Sequence, residues 1–342
     1  MSSIKFPTTR YQGSKAKVLP WIEDIVSKLE FNNVLDAFGG TGAVSFMFKK
    51  MGKKVHYNDL LKFNYYIGLA LIENNKITLS DEDVETILKK HNKTEHPDFI
   101  FKTFQDIYFT DEENKWLDNV VFNINNLENK YKKAIAFFAI FQSCIIKRPY
   151  NLFHRKNLYV RTAEVSRSFG NKKTWDTPFE THFRKFVIQA NKSIIDNGHK
   201  NLSINKDVFD IENKYDLVYF DTPYVSSKGT GVDYLDFYHF LEGLVNYNKW
   251  SDLVDKKSKN LKIKTTKNVW SDKKEITKAF SDLFNKYKKS IMVISYRDDG
   301  IPTTEELIKM LKDLDKKVSV YKIDYKYALS KTASKEVLIV AK

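Results

Sequence analysis

Short apolar runs that stop on aspartate or glycine alternate along this chain with stretches of helical periodicity. "NNVLDAF" (32–38) and "KKVHYND" (53–59) read as strands, separated and flanked by helical segments at 15–30, 43–51 and 63–74. Such a βαβα start, with right-handed crossovers, predicts a parallel sheet. From 76 to 146 the pattern is helical and charged, and from 147 to 175 it is irregular, basic and aromatic. A doubly wound sheet needs no such interruption, so an inserted domain is expected at 76–175, with 1–75 and 176–342 forming the main domain. The sheet pattern then resumes, with a helix at 180–197, strands at 201–205 and 215–221, a helix at 234–248, a strand at 290–296 and a helix at 303–313. Two last apolar segments, 317–325 and 336–341, are joined too closely for a crossover helix and predict an antiparallel hairpin at the sheet edge. Residues 256–274, with eight lysines and one aspartate, read as an exposed loop.

At 342 residues the chain is long enough for a full core. Its 57 Lys and Arg against 43 Asp and Glu leave a formal charge of +14. That excess favours a polyanionic partner, although a lysine-rich surface fits the number as well. The single cysteine, Cys144, excludes an internal disulfide framework and any multi-cysteine metal site. "AIAFFAIFQSCII" (134–146) is too short for a membrane span and reads as a buried helix. The N-terminus carries no apolar signal core, so a cytoplasmic location without membrane association is expected.

Two strand ends carry candidate chemistry. In "VLDAFGGTGAVSF" (34–46), Asp36 closes a strand and is followed by Gly39, Gly40 and Gly42 and then a helix. Asp59 closes the next strand, where a carboxylate can accept from ribose hydroxyls. A nicotinamide fold uses similar pieces, and some glycine turns bind nothing. Here, however, Ser45 replaces the third glycine of the dinucleotide fingerprint, and Asp36 opposes a pyrophosphate at the helix start. The same carboxylate suits an amine or a sulfonium. The second strand end is "LVYFDTPY" (217–224). Asp221 offers a carboxylate, Thr222 a carbonyl, Pro223 a rigid turn and Tyr224 a flat ring, a set suited to holding an exocyclic amine and its base. A proline turn with Asp221 as a helix cap is the plainer alternative.

"DTPY" (221–224) resembles the Asp-Pro-Pro-Tyr motif of adenine-specific DNA amino-methyltransferases, "DAFGGTG" (36–42) their cofactor loop, and "RYQGSK" (10–15) the segment preceding that loop in the Dam-like group. "KRPYNLFHRKNLYVR" (147–161), "ISYRDD" (294–299) and "YALSKTASKEVLI" (327–339) are similar to the FokI-methylase-like enzymes of restriction systems. The resemblance spans nearly the whole chain, with Thr222 standing where the motif has proline. It implies a Rossmann-like S-adenosylmethionine-dependent methyltransferase sheet plus a mostly helical DNA-recognition insertion. It also implies cofactor contacts from Tyr11, Lys15, Asp36, Phe38, Gly40, Asp59 and Asp207, with Lys15 pairing the methionine carboxylate and Asp207 accepting from the cofactor adenine. A solvated Lys15 and a turn-capping Asp207 remain the alternatives.

The expected activity is methyl transfer to adenine N6 in a short sequence of double-stranded DNA, by an in-line step that needs no metal. A partner restriction endonuclease is expected, and a monomer is favoured. Transfer to cytosine N4 or to RNA adenine, and a non-catalytic DNA-binding protein, are the alternatives. Between 147 and 161, five basic residues and no acidic ones are interleaved with Tyr150, Phe153, His154 and Tyr159. Because the guanidinium fork matches phosphates and guanine edges, Arg148, Arg155 and Arg161 are expected to contact DNA, with Arg167, Lys172 and Lys173 continuing the basic run. "KKSKNLKIKTTK" (256–267) reads equally as a phosphate-contacting loop or as solvated lysines.

Overall fold

The computed structural model describes residues 4–91, 97–165, 172–226, 233–265, 268–325 and 334–342. They fall into two compact units. One comprises Met1–Tyr11, Leu61–Asp196 and Leu235–Thr265, the other Gln12–Leu60, Asn197–Tyr234 and Thr266–Lys342. The boundaries expected near 75 and 175 both fall inside the first unit. Helices Lys62–Gly68 and Phe179–Lys192 pack on the apolar helix Lys130–Ile146 and so join its unit.

The second unit contains the sheet. Its strands are β1 (Asn33–Asp36), β2 (Lys54–Asn58), β3 (Leu202–Ile204), β4 (Leu217–Phe220), β5 (Val225–Ser226), β6 (Ile291–Arg297), β7 (Gly300–Ile301), β8 (Val318–Tyr325) and β9 (Ser334–Ala341). Seven of them form one sheet in the order β3-β2-β1-β4-β6-β9-β8. β1, β2, β3, β4 and β6 pair in parallel, and β9 runs antiparallel between β6 and β8. The expected terminal hairpin is present, with β8 rather than β9 at the edge. This is a mixed α/β sheet of the Rossmann-like kind expected from the sequence.

From β1 the chain winds to one side through β2 and β3, and from β4 to the other through β6, so the order reverses between β1 and β4. Ligands of open α/β sheets bind beyond the C-terminal ends of the strands at such a reversal. The β1–β4 register is set at the opposite end. Asp216 accepts from the amides of Asn32 (2.8 Å) and Asn33 (3.0 Å), and Asn33 Oδ1 accepts from the Asp216 amide. Asp36 thereby lies opposite Tyr219 on β4 and Tyr57 on β2, which brings three strand ends level.

Two features of this unit differ from the sequence expectation. The segment after the lysine run is not wholly exposed, because Trp270 is buried against Phe280 at 5.3 Å, and helix Ile276–Lys286, absent from the expected elements, follows it. β5 and β7 also form a separate antiparallel ribbon, pairing Val225 with Ile301 and Ser226 with Gly300.

The first unit is built on helix Lys130–Ile146, which is buried at every position from Ala134 to Ile146, as expected of a helix apolar on all faces. Tyr108, Phe153, Phe240 and Trp250 pack beside one another in its core. Among the described residues no helix is long and apolar enough to cross a membrane.

Candidate active site

Three carboxylates gather at the level strand ends of β1, β2 and β4. Asp36 is 1% exposed. Its Oδ2 accepts from Ser45 Oγ at 2.6 Å, while Oδ1 has no hydrogen-bond partner among the described residues. Burial pushes this carboxyl up to about 7 against the opposing Ser45 bond, and the charges of Asp221 and Asp59 add to the rise. The glycine loop beside it is pinned from several sides. Asp59 Oδ2 accepts from the Gly40 amide at 2.9 Å, Tyr57 Oη donates to the Gly40 carbonyl at 2.7 Å, and the Gly39 amide donates to the Asn58 carbonyl at 2.8 Å. Gly40 has φ +50°, and a Cβ on Gly39 would stand 2.0 Å from the Tyr57 ring, so neither position takes a side chain without rearrangement.

Asp221 stands at the end of β4 with its side chain a quarter exposed. Lys15 Nζ lies 3.0 Å from its Oδ1 and 2.9 Å from Glu336 Oε1. Ser14 caps the short 3-10 turn Lys15–Lys17 and holds Lys15 at this point. Glu336, on β9, is fully buried and also accepts from Ser295 Oγ at 2.6 Å. Burial raises the Asp221 carboxyl to about 6; Lys15 limits the rise and Glu336 adds to it. The expectation gave Lys15 a role toward the cofactor carboxylate; here it joins two carboxylates of the protein. Thr222 is buried, with its hydroxyl lacking a partner among the described residues, whereas Pro223 and Tyr224 are half-buried.

The Tyr224 ring is held by Arg297, at the end of β6. Arg297 Nη1 donates to Tyr224 Oη at 2.9 Å, and its guanidinium carbon lies over the ring, 4.7 Å from the centroid. Asp299 binds the same guanidinium through two bonds, from Nε (2.8 Å) and from Nη2 (2.7 Å).

The remaining expected cofactor residues have separate surroundings. Phe38 meets Trp270 edge-on at 5.1 Å, and Phe209 stacks on the same indole at 6.0 Å. Asp207 is exposed and accepts from the Phe209 amide at 3.0 Å, capping the turn Val208–Asp210. In the first unit, Tyr11 stacks on Tyr238 at 4.4 Å and accepts from Asn64. Sequence reasoning missed Ser45, Glu336, Trp270 and the Arg297–Asp299 pair as parts of the site. A lone acid inside the apolar run "EVLIVA" was the available signal for Glu336.

The arginines expected at DNA need correction. Arg148 is 1% exposed, and its guanidinium donates to the carbonyls of Leu152, Tyr108 and Arg155 and to the Asn157 side chain. Arg161, 6% exposed, pairs through both terminal nitrogens with Glu113, which also receives Lys147 at 2.9 Å. Both arginines are internal braces, because a buried guanidinium persists only when such acceptors surround it. Arg155 and Lys156 are exposed, with Tyr150 (53%) and Tyr159 (70%) exposed in the same segment. Arg167 and residues 266 and 267 of the lysine loop lie outside the described residues, as do 327–333 of the C-terminal motif.

Residues 11–299 match the family described as D12 class N6 adenine-specific DNA methyltransferase. The type II methyltransferase M2.HphI of Haemophilus parahaemolyticus is 31% identical, over 98% of this chain and 96% of that protein. The type II methyltransferase M.FokI of Planomicrobium okeanokoites is 26% identical over 94% of this chain, and the modification methylase StsI of Streptococcus sanguinis 27% over 95%. The chain spans about half the length of these last two relatives, 50% of each. The strand-end carboxylates, the glycine loop and the "DTPY" turn thus belong to an enzyme that methylates DNA, and the chain is a member of the D12 class of N6 adenine-specific DNA methyltransferases.

Proposed function

We propose that the chain uses S-adenosylmethionine to methylate an adenine selected within a short duplex sequence, protecting that sequence from a partner endonuclease. The observation that carries the cofactor assignment is the buried Asp36 oxygen, which has no partner among the described residues and lies near the glycine loop and two further carboxylates. A cationic ligand is the complement of such a site, whereas a phosphate is not. S-adenosylmethionine supplies a methyl group on a positively charged sulfur. Asp36, Gly40 and Asp59 would hold it, with Lys15, Phe38, Asp207 and Tyr11 assigned by their motifs.

At the acceptor, the Asp221 carboxylate and the Thr222 carbonyl receive the two N–H bonds of the amino group and orient its nitrogen. Pro223 fixes the turn, and Tyr224 stacks on the base. Leaving the duplex costs the adenine a few kcal/mol, and a stacking ring returns roughly 1–3 kcal/mol of this. Target recognition falls to the first unit, where Arg155, Lys156, Tyr150 and Tyr159 offer charge and rings on an exposed segment. A monomer in the cytoplasm fits this reading. The endonuclease partner is supported by relatives whose names are those of type II and modification methylases.

The test is incubation of unmethylated genomic DNA with S-adenosylmethionine, followed by digestion to nucleosides and mass spectrometry, with Asp221→Ala in parallel. N6-methyladenine from the wild type alone is expected. Equal product from Asp221→Ala would remove Asp221 from the reaction, and N4-methylcytosine would change the acceptor.

A further inference from the structure

We propose that Arg297, fixed by Asp299, is a positioning residue that sets the plane of the Tyr224 ring and occupies one of its two faces, so that the target base can stack only on the other. The proposal rests on the reading of Tyr224 as the stacking ring and extends it to how that ring is oriented. A tyrosine side chain turns about two bonds and, when half-buried, is restrained only by what touches it. Here the backbone and the ring are held separately. The β5–β7 ribbon ties the residues just after Tyr224 to those just after Asp299, which fixes the turn. Arg297 then fixes the ring at two places, with a hydrogen bond to the hydroxyl and a guanidinium over the face.

Arg297 has little freedom of its own. Its Nε and Nη2 fork is engaged by Asp299, leaving Nη1 directed at the tyrosine. Its backbone lies in the β6–β9 ladder opposite Glu336. Lysine cannot reproduce this arrangement, because a single ammonium cannot bind a carboxylate in a fork and also lie flat on a ring. The neighbouring Gly300 leaves room for the turn, since a Cβ there would stand 2.6 Å from the Tyr296 ring. A guanidinium over one face also makes the ring a better platform, because its charge is shared between the carboxylate and the π-cloud and the plane is set before the base arrives.

The experiment is a double-mutant cycle. The methylated site is first mapped by sequencing genomic DNA treated with the enzyme. Single-turnover methylation and equilibrium binding are then measured on a duplex of that site for Arg297→Met, Arg297→Lys, Asp299→Asn, Tyr224→Ala and Tyr224→Ala/Arg297→Met, each checked for a cooperative thermal melt. The expected result is a roughly ten- to hundredfold slower methyl transfer for Arg297→Met and Arg297→Lys, with duplex binding little changed, as for a reacting partner held slightly out of place. Asp299→Asn should fall in the same direction by less, and it keeps the test open if the arginine variants fail to fold. Adding Arg297→Met to Tyr224→Ala should cost nothing further. A full additional loss in the double variant would overturn the proposal, since Arg297 would then act elsewhere. An unimpaired Arg297→Met would overturn it as well. An unimpaired Tyr224→Ala would instead refute the stacking role of Tyr224, and the proposal with it.

Discussion

Asp36→Asn should abolish the pH dependence that this one residue imposes on the fold. The wild-type carboxyl ionises near 3.8 in the unfolded chain and at about 7 in the fold. Between those values the unfolded state has released a proton that the folded state keeps, so stability falls as pH rises through the window. The full loss is about 4 kcal/mol above pH 7, of which about 3 kcal/mol accumulates between pH 5 and pH 8. Asparagine cannot ionise and escapes this loss, but it sets an amide where Oδ1 has no partner among the described residues, at a cost of about 1–3 kcal/mol. The variant should therefore be equal to or weaker than the wild type at pH 5 and stronger at pH 8. The quantity to follow is the difference between the two proteins in urea denaturation, because contributions from other groups largely cancel in it. A difference that does not grow with pH would refute the buried-carboxylate argument. Ligand binding should respond in the opposite sense. Calorimetric titration of the wild type with S-adenosylmethionine should show affinity falling about tenfold per pH unit below pH 7, as the required carboxylate takes up its proton. In Asp36→Asn the binding should be weak and nearly independent of pH.

Three further outcomes follow from the same geometry. Asp221 must be ionised to accept an N–H, so kcat/KM should decline as pH falls through about 6; Lys15→Met should move that acid limb to higher pH and Glu336→Gln to lower pH, and pH–rate profiles shifting the same way would refute the triad. Glu113→Gln leaves Lys147 and Arg161 without their buried counter-charge and should destabilise the first unit by about 3–5 kcal/mol in chemical denaturation. The Glu113 carboxyl lies below its ordinary range, where its hydrogen bonds and the charges of Arg161 and Lys147 outweigh the effect of burial, so the stability it confers is present at neutral pH and lost as the solution is made acid. Arg155→Ala should weaken duplex binding and reduce the slope of log K against log salt by about one; an unchanged slope would place Arg155 away from the phosphates.

The sheet was legible because its strands are short, apolar and bounded by residues with one reading. Asp36, Asp59 and Asp221 each stop an apolar run, and parallel pairing then has to bring such ends to one edge. The β5–β7 ribbon was not, since two residues per strand carry no periodicity. Helix Ile276–Lys286 follows a lysine-rich stretch whose composition reads as solvent-exposed. The arginines misled for a chemical reason. Basic residues interleaved with rings describe a nucleic-acid surface, and they describe equally a guanidinium stacked inside a core. Arg148 lies over Tyr108 at 4.4 Å and Phe153 at 5.3 Å, and Arg161 over Phe109 at 5.5 Å. What separates the two cases for Arg161 is a carboxylate partner, and Glu113 stands 48 positions earlier in the chain. No local window contains both.

On the proposed reading, the carboxylates at the strand ends explain why this glycine loop differs in use from the phosphate-binding loops it resembles. A loop of glycine amides at a helix start offers positive potential, and in a dinucleotide fold nothing cancels it. Here the Gly40 amide is already taken by Asp59, and Asp36 lies buried at the end of the strand that leads into the loop. Lys15 is shared between Asp221 and Glu336, while Asp36 and Asp59 add two further carboxylates at this edge. That excess of negative charge destabilises the free fold and repels a pyrophosphate, and it is relieved by a ligand that brings positive charge to Asp36. Asp221 is kept near the boundary between its protonated and ionised forms by burial first, with Lys15 limiting the rise and Glu336 adding to it. On the proposed reading, acceptance of an adenine amino group therefore depends on Lys15 and Glu336 as well as on Asp221.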